Sequence, residues 1–170
     1  VGHTGTLDPM ARGVLVICLG QATRIAEYVV ELPKTYRAVI HLGVTTDTCD
    51  AEGTVVVRHD ADRLDLETIQ QLLSQFTGRI DQVPPMYSAL KRDGRPLYRL
   101  AREGRTVERS PRPVEIHRLE LLAWEPPRLD VLVECSRGTY IRALARDLGE
   151  AAGVGAHLGS LAVSYTHLTL

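Results

Sequence analysis

The chain has 170 residues, 44% hydrophobic and 24% charged, with a formal net charge of −1. That is one domain's length and an ordinary globular composition, and the near-zero charge gives no global case for nucleic acid. No apolar run approaches the ~20 residues of a membrane span, and no secretion signal opens the chain. Three scattered cysteines, Cys18, Cys49 and Cys135, suit neither a disulfide framework nor a metal knuckle, so reduced thiols in a cytoplasmic protein are expected.

In chain order, "HTGTLDPMARGVL" comes first. Asp8 followed by Pro9 has the pattern of a helix start, with Asp8 at the N-cap and Pro9 in the first turn. A carboxylate so placed is held ionised by backbone N–H groups and the helix dipole, which also makes it a candidate nucleophile or base. On the residues alone both readings of Asp8 stand. His3, in the same loop, is a surface residue by default and a candidate stacking or hydrogen-bonding group.

"YRAVIHLG" is the first strong strand, with Tyr36, Ala38, Ile40 and Leu42 alternating against Arg37, Val39 and His41. "TTDTCDAEG" reads as a polar turn and "GTVVV" as the returning strand. "DLETIQQLLSQF" predicts a helix capped by Asp65, with Leu66, Ile69, Leu73 and Phe76 on one face and Gly78 ending it. "QVPPMYSALK" starts as a proline loop and ends strand-like, and "RPLYRLAREG" predicts a short helix. "PVEIHRLELLAW" and "RLDVLVECS" are strands joined by an "EPP" turn. "TYIRALARDLGEAAG" is the clearest helix, capped by Thr139, with Ile141, Leu144, Ala145 and Leu148 as its stripe. Together these elements predict an α+β domain built on a mixed, largely antiparallel sheet.

Charge is distributed unevenly. Lys91, Arg92, Arg95, Arg99, Arg102, Arg105, Arg109 and Arg112 fall within one stretch, against Asp93, Glu103 and Glu108, and Tyr87 and Tyr98 are interleaved with them. Cations for phosphates and flat rings for unstacked bases suit RNA, although charge alone reads equally well as a solvated helix face. Arg137, Arg142 and Arg146 form a second cluster. No Walker loop, GxGxxG, metal-ligand spacing or Ser-His-Asp order occurs, so an enzyme on this chain is expected to use neither metal nor nucleotide cofactor.

Four segments, "GHTGTLDPMARGVL", "TYRAVIHLGVTTDTCDAEG", "QVPPMYSALKRDGRPLYRLAREG" and "VECSRGTYIRALARDLGEAAGVGAHL", resemble the TruB family in order and approximate spacing, from Val1 to about Leu161. The resemblance implies the pseudouridine synthase fold with an RNA-binding cleft. It implies cofactor-free isomerisation of uridine 55 in the T-loop of tRNA by a cytoplasmic enzyme, expected to be monomeric and independent of membrane and metal. By the same resemblance Asp8 is the catalytic carboxylate and Arg142 its partner. His3 fills the space left by the extruded nucleotide, Tyr36 stacks on the target base, and Tyr140 and Leu161 line its pocket. Lys91, Arg92 and Arg99 are expected on the RNA backbone.

The expected organisation is a catalytic domain over residues 1–161, lacking a family strand at its N-terminus, followed by a tail over 162–170 unlike the family. A tRNA-binding or tRNA-folding module without turnover, and a guide-RNA-directed relative acting on ribosomal RNA, are the competing expectations.

Overall fold

The computed structural model describes residues 1–92 and 94–164. Its centre is a six-stranded sheet made of β2 (Arg12–Gly13), β4 (Lys34–Leu42), β7 (Gly78–Gln82), β10 (Arg112–Glu125), β11 (Arg128–Cys135) and β12 (Ala156–Ser164). The strand order is β2-β12-β4-β11-β10-β7, with β2 parallel to β12 and every other pair antiparallel. Three two-stranded ribbons accompany it: β1 (Gly2–His3) with β3 (Ile17–Cys18), β5 (Val44–Thr46) with β6 (Val55–Arg58), and β8 (Lys91–Arg92) with β9 (Arg95–Pro96). The helices are α1 (Ala26–Glu31), α2 (Leu66–Gln75), α3 (Leu97–Arg102) and α4 (Ile141–Ala151). The architecture is the expected α+β one.

Alternation along the central strands decides which face is buried. Ala38, Ile40 and Leu42 of β4 meet Leu129, Val131 and Val133 of β11 and Leu158 of β12, all at 0–1% exposure. Helices α2 and α4 cover this face, where Ile69, Leu144 and Leu148 are fully buried. Each such side chain contributes about 1.5–3 kcal/mol by leaving water. The opposite face carries Arg37 paired with Asp130 and His41 stacked on His157. In α2 the stripe is shifted from the expected one. Leu72 is buried with Ile69 and Leu73, while Leu66 is 48% exposed in the first turn, where Asp65 caps the helix by accepting from the Thr68 N–H.

The chain around Asp8 departs from expectation. It forms no helix: Ala11 N–H donates to Asp8 O at 2.9 Å to close a single turn, and the chain then enters β2. The reason lies four residues beyond Pro9. Gly13 has φ +112°, and a Cβ there would lie 2.1 Å from the Val163 carbonyl oxygen. Helical backbone is incompatible with that conformation and contact. The capping expectation for Asp8 is therefore corrected.

At the C-terminal end the expected boundary after Leu161 falls inside β12, whose Ala162, Val163 and Ser164 pair with Arg37, Tyr36 and Thr35. Residues 165–170 of the expected tail lie outside the described residues, as does Asp93.

Candidate active site

Arg142, the second residue of α4, is 6% exposed at the centre of the site. A guanidinium carries five N–H donors and no acceptor, so burying one requires a matching set of oxygens. Nε donates to Asp8 Oδ2 at 2.9 Å and Nη2 to Asp8 Oδ1 at 2.6 Å, a bidentate pair. Nη2 also donates to the Tyr87 carbonyl at 2.8 Å, and Nη1 to the Thr48 carbonyl at 3.3 Å. Asp50 Oδ2 lies 3.6 Å from Nη1 and completes the set. The oxygens come from three separate segments, the Asp8 turn, the β5–β6 turn (Thr48 and Asp50) and the proline loop after β7, all converging on one helix.

Each supporting segment is itself held. In the β5–β6 turn the Thr48 hydroxyl donates to Asp50 Oδ1 at 2.5 Å, Glu52 N–H donates to the same oxygen at 3.1 Å, and Thr46 Oγ1 donates to the Asp50 carbonyl at 2.7 Å. Cys49, at the turn's tip, has φ +62°, and its carbonyl accepts from Leu158 N–H at 3.0 Å, tying the turn to β12.

Helix α4 starts one residue later than expected. Its N-cap is Tyr140, with no side-chain cap, whereas the Thr139 hydroxyl donates to the Ser136 carbonyl at 2.9 Å across a turn in which Gly138 has φ +83°. Thr139 is thus corrected from cap to turn residue. Gln82, at the end of β7 and 1% exposed, closes the helix start instead. Its amide nitrogen donates to the Tyr140 carbonyl at 3.1 Å and its amide oxygen accepts from Tyr140 N–H at 2.8 Å. The Tyr140 phenol lies in the field of Asp8 and Arg142, and burial is the main cause pushing its pKa up.

Of the remaining expected site residues, Tyr36 is half-buried on β4, in register with Val163, and Leu161 is buried on β12 opposite Ala38, within the main core. His3 is exposed in β1, with its Nδ1 2.6 Å from the Gly5 carbonyl oxygen of its own turn. Lys91, Arg92 and Arg99 are exposed, the first two on the β8–β9 ribbon and the third on α3, whose Leu97 and Leu100 face inward. Arg92 Nη1 donates to the Glu108 carbonyl, and the Arg102 guanidinium sits 5.6 Å from the centroid of the Tyr98 ring.

The structure thus unites Asp8, Arg142 and Tyr140 and adds Asp50, Thr48, Gln82 and the Tyr87 carbonyl, which sequence reasoning missed. Among the described residues no group of three or more His, Cys, Asp or Glu is arranged to hold a metal, and no helix is long and apolar enough to cross a membrane.

Residues 1–141 match the model of the TruB family pseudouridylate synthase N-terminal domain. The chain belongs to the TruB family.

Two relatives, both named tRNA pseudouridine synthase B, are close to this TruB chain. The Chromohalobacter salexigens protein is 54% identical over 160 residues, 94% of this chain and 52% of its own length. The Stutzerimonas stutzeri protein is 56% identical over the same shares. The chain therefore spans about half the length of the curated relatives it matches. Among solved structures, a chain of the Cbf5-Nop10-Gar1 complex superposes with a TM-score of 0.71 at 31% identity, covering 96% of this chain and 39% of that one. A chain of an H/ACA RNP bound to a substrate RNA containing 2'-deoxyuridine does so at 0.67 and 27% identity, covering 96% and 38%. The pseudouridine synthase fold expected from the four segments is the fold of this chain.

Proposed function

We propose that the chain is the catalytic domain of a tRNA pseudouridine synthase, acting on uridine 55 of the T-loop with Asp8 as its catalytic carboxylate. The observation that carries this reading is the difference in exposure across the Asp8–Arg142–Asp50 group. The side chains of Arg142 and Asp50 are 7% and 6% exposed, while that of Asp8 is 24% exposed. Of the two carboxylates, the more exposed one is Asp8, and a charge-assisted bidentate pair holds it oriented.

The chemistry is an isomerisation, so no external reactant is required. The N1–C1′ bond of uridine breaks, the uracil turns, C5 bonds to C1′, and the C5 proton is lost as N1 gains one. Asp8 acts on the sugar, by attack at C1′ or by removing the C2′ proton. A uridine within a folded loop must first be extruded, at a cost of a few kcal/mol. Tyr36 supplies a stacking surface for the base, Tyr140 and Leu161 the pocket wall, and His3 an exposed ring to occupy the vacated space. Choice of tRNA over a guide-directed substrate is supported by identities of 54–56% to proteins named for tRNA, against 27–31% to chains of the H/ACA assemblies.

The test is tritium release from tRNA labelled at uridine C5, with wild type and Asp8→Asn side by side. We expect turnover to fall by roughly 10³-fold or more in the variant, the scale of removing a group that acts directly on the substrate, with tRNA affinity little changed. Comparable turnover in the variant sinks the assignment of Asp8. Binding by wild type without any release favours a module that only holds or folds tRNA.

A further inference from the structure

Ser88 follows directly on Tyr87, whose carbonyl Arg142 holds. Its backbone is fixed on both sides. The N–H donates to the Met86 carbonyl at 3.0 Å, and the carbonyl accepts from the Tyr98 N–H of α3 at 3.1 Å. The residue is 4% exposed. Among the described residues its Oγ is buried with no hydrogen-bond partner, a condition that costs free energy and calls for a reason. The hydroxyl faces one polar group, the Tyr140 phenol. Burial pushes the pKa of that phenol up and the Ser88 hydroxyl pulls it back down, with Arg112 and Arg142 acting in the same direction as Ser88 and Asp8 against it.

Access decides what this hydroxyl can do. A side chain that touched the target base would need an open oxygen, and that of Ser88 is sealed. Tyr140 is only half-buried and lies in the field of Asp8 as well. We propose that Ser88 is a positioning residue that acts through Tyr140: its hydroxyl closes onto the phenol oxygen when RNA fills the pocket and fixes the ring beside Asp8. The inference rests on the isomerase reading above, in which Tyr140 lines the pocket of the target base. A bond left open in the free protein and tightened in the complex is common among groups that serve a reaction. The mount suits the task. The Gln82 amide fixes the Tyr140 backbone at both N–H and carbonyl, so the ring is what remains to be set. Ser88 is carried by a loop that Arg142, two residues further along, ties to the same helix. A Ser88 O–H that donates to the phenol oxygen leaves the phenol's own proton to point at the substrate.

The experiment measures kcat and KM for tritium release from tRNA labelled at uridine C5, in wild type, Ser88→Ala, Ser88→Thr and Ser88→Val, with Ser88→Ala also made in a Tyr140→Phe background. We expect Ser88→Ala to lower kcat about tenfold, the scale of one hydrogen bond, with KM little changed. Thr and Val have similar bulk and differ by the hydroxyl, so Ser88→Thr should turn over about tenfold faster than Ser88→Val whatever steric cost they share. Once the phenol is gone, Ser88→Ala should bring no further loss. A parallel measurement needs no turnover. In protein labelled with 13C at tyrosine Cζ, the NMR signal of Tyr140 is the one of six that Tyr140→Phe removes. It should titrate at higher pH in Ser88→Ala than in wild type or Ser88→Thr, because a donor to the phenolate has been lost. Full additivity of Ser88→Ala and Tyr140→Phe overturns the proposal, as does an unmoved Tyr140 titration. Equal turnover in Ser88→Thr and Ser88→Val overturns it too. Absence of release from wild type would sink the isomerase reading instead, and the titration would then decide the Ser88–Tyr140 pair by itself.

Discussion

Two arginines, Arg142 and Arg109, hold the same loop, through the Tyr87 and Pro84 carbonyls, and face opposite electrostatic circumstances. Arg142 is almost fully enclosed, yet all its donors meet oxygens and two carboxylates answer its charge. Arg109 is less enclosed but has a single carbonyl, an unpartnered Nε and a like charge beside it. The difference separates two uses of a buried cation. A saturated guanidinium organises the protein's own groups, here by orienting Asp8. An unsaturated one holds only a single carbonyl, here that of Pro84. Depth of burial does not tell them apart; the count of acceptors does.

Substitutions make this comparison quantitative. The largest effect is expected at Arg142. Arg142→Met leaves Asp8 and Asp50 without their cation, and urea unfolding should show a loss of about 3–5 kcal/mol, the usual consequence of breaking one side of a buried pair. A loss under ~1 kcal/mol would mean that the network is not saturated as described. Next comes Gln82→Leu, which leaves the Tyr140 N–H without its partner and the Tyr140 carbonyl with Leu144 N–H alone. About 2 kcal/mol of stability should go, at the scale of buried groups left unsatisfied, and a backbone shift at α4 should appear in amide exchange.

Asp50→Asn keeps the size of the side chain and removes only its charge, so stability should fall by about 1 kcal/mol while tritium release slows far more than RNA binding weakens. Equal losses in both would make Asp50 a merely structural residue. Arg109→Met completes the comparison. Stability should stay within about 1 kcal/mol of wild type, because no ion pair is lost and a repulsion is relieved. A loss like that of Arg142→Met would erase the distinction.

The smallest effect concerns pH and the other face of the sheet. His41 has its pKa lowered by burial first, then by His157 and Arg128. The unfolded chain therefore binds a proton more readily than the folded one between the lowered value and the ordinary ~6.5. Stability should drop as pH falls through that window and level off below it. His41→Gln should flatten this part of the stability–pH curve, measured by thermal melts from pH 7.5 to 5. An unchanged curve would clear His41 of any part in it.

What could be read in advance follows the range of the interactions. The β4 alternation and the α4 stripe are local patterns, and the structure keeps both. Asp8 was misplaced on a helix because Asp-Pro opens turns and helices alike, and the residue that forbids the helix, Gly13, acts through Val163 at the far end of the chain. Arg142 by itself reads as a solvated helix residue. Its partners are 134, 94 and 55 positions away, beyond any periodicity. Asp50 is one acid among several in a polar turn, and only the fold distinguishes it. The catalytic role proposed for Asp8 rests on the family resemblance rather than on the residues themselves.

The strand β12 touches both acidic arms of the site. Near its end, Val163 lies against Gly13 and fixes the segment that follows Asp8; near its beginning, Leu158 holds the turn that presents Asp50. The strand thus acts as a ruler between two attachment points, with an irregularity in its pairing between Leu158 and Ser160. A single residue inserted between those points would displace one arm by about 3.3 Å and turn the following side chains to the other face. The tolerance of this fold to changes in length should therefore be least along a strand that carries none of the site's charged groups.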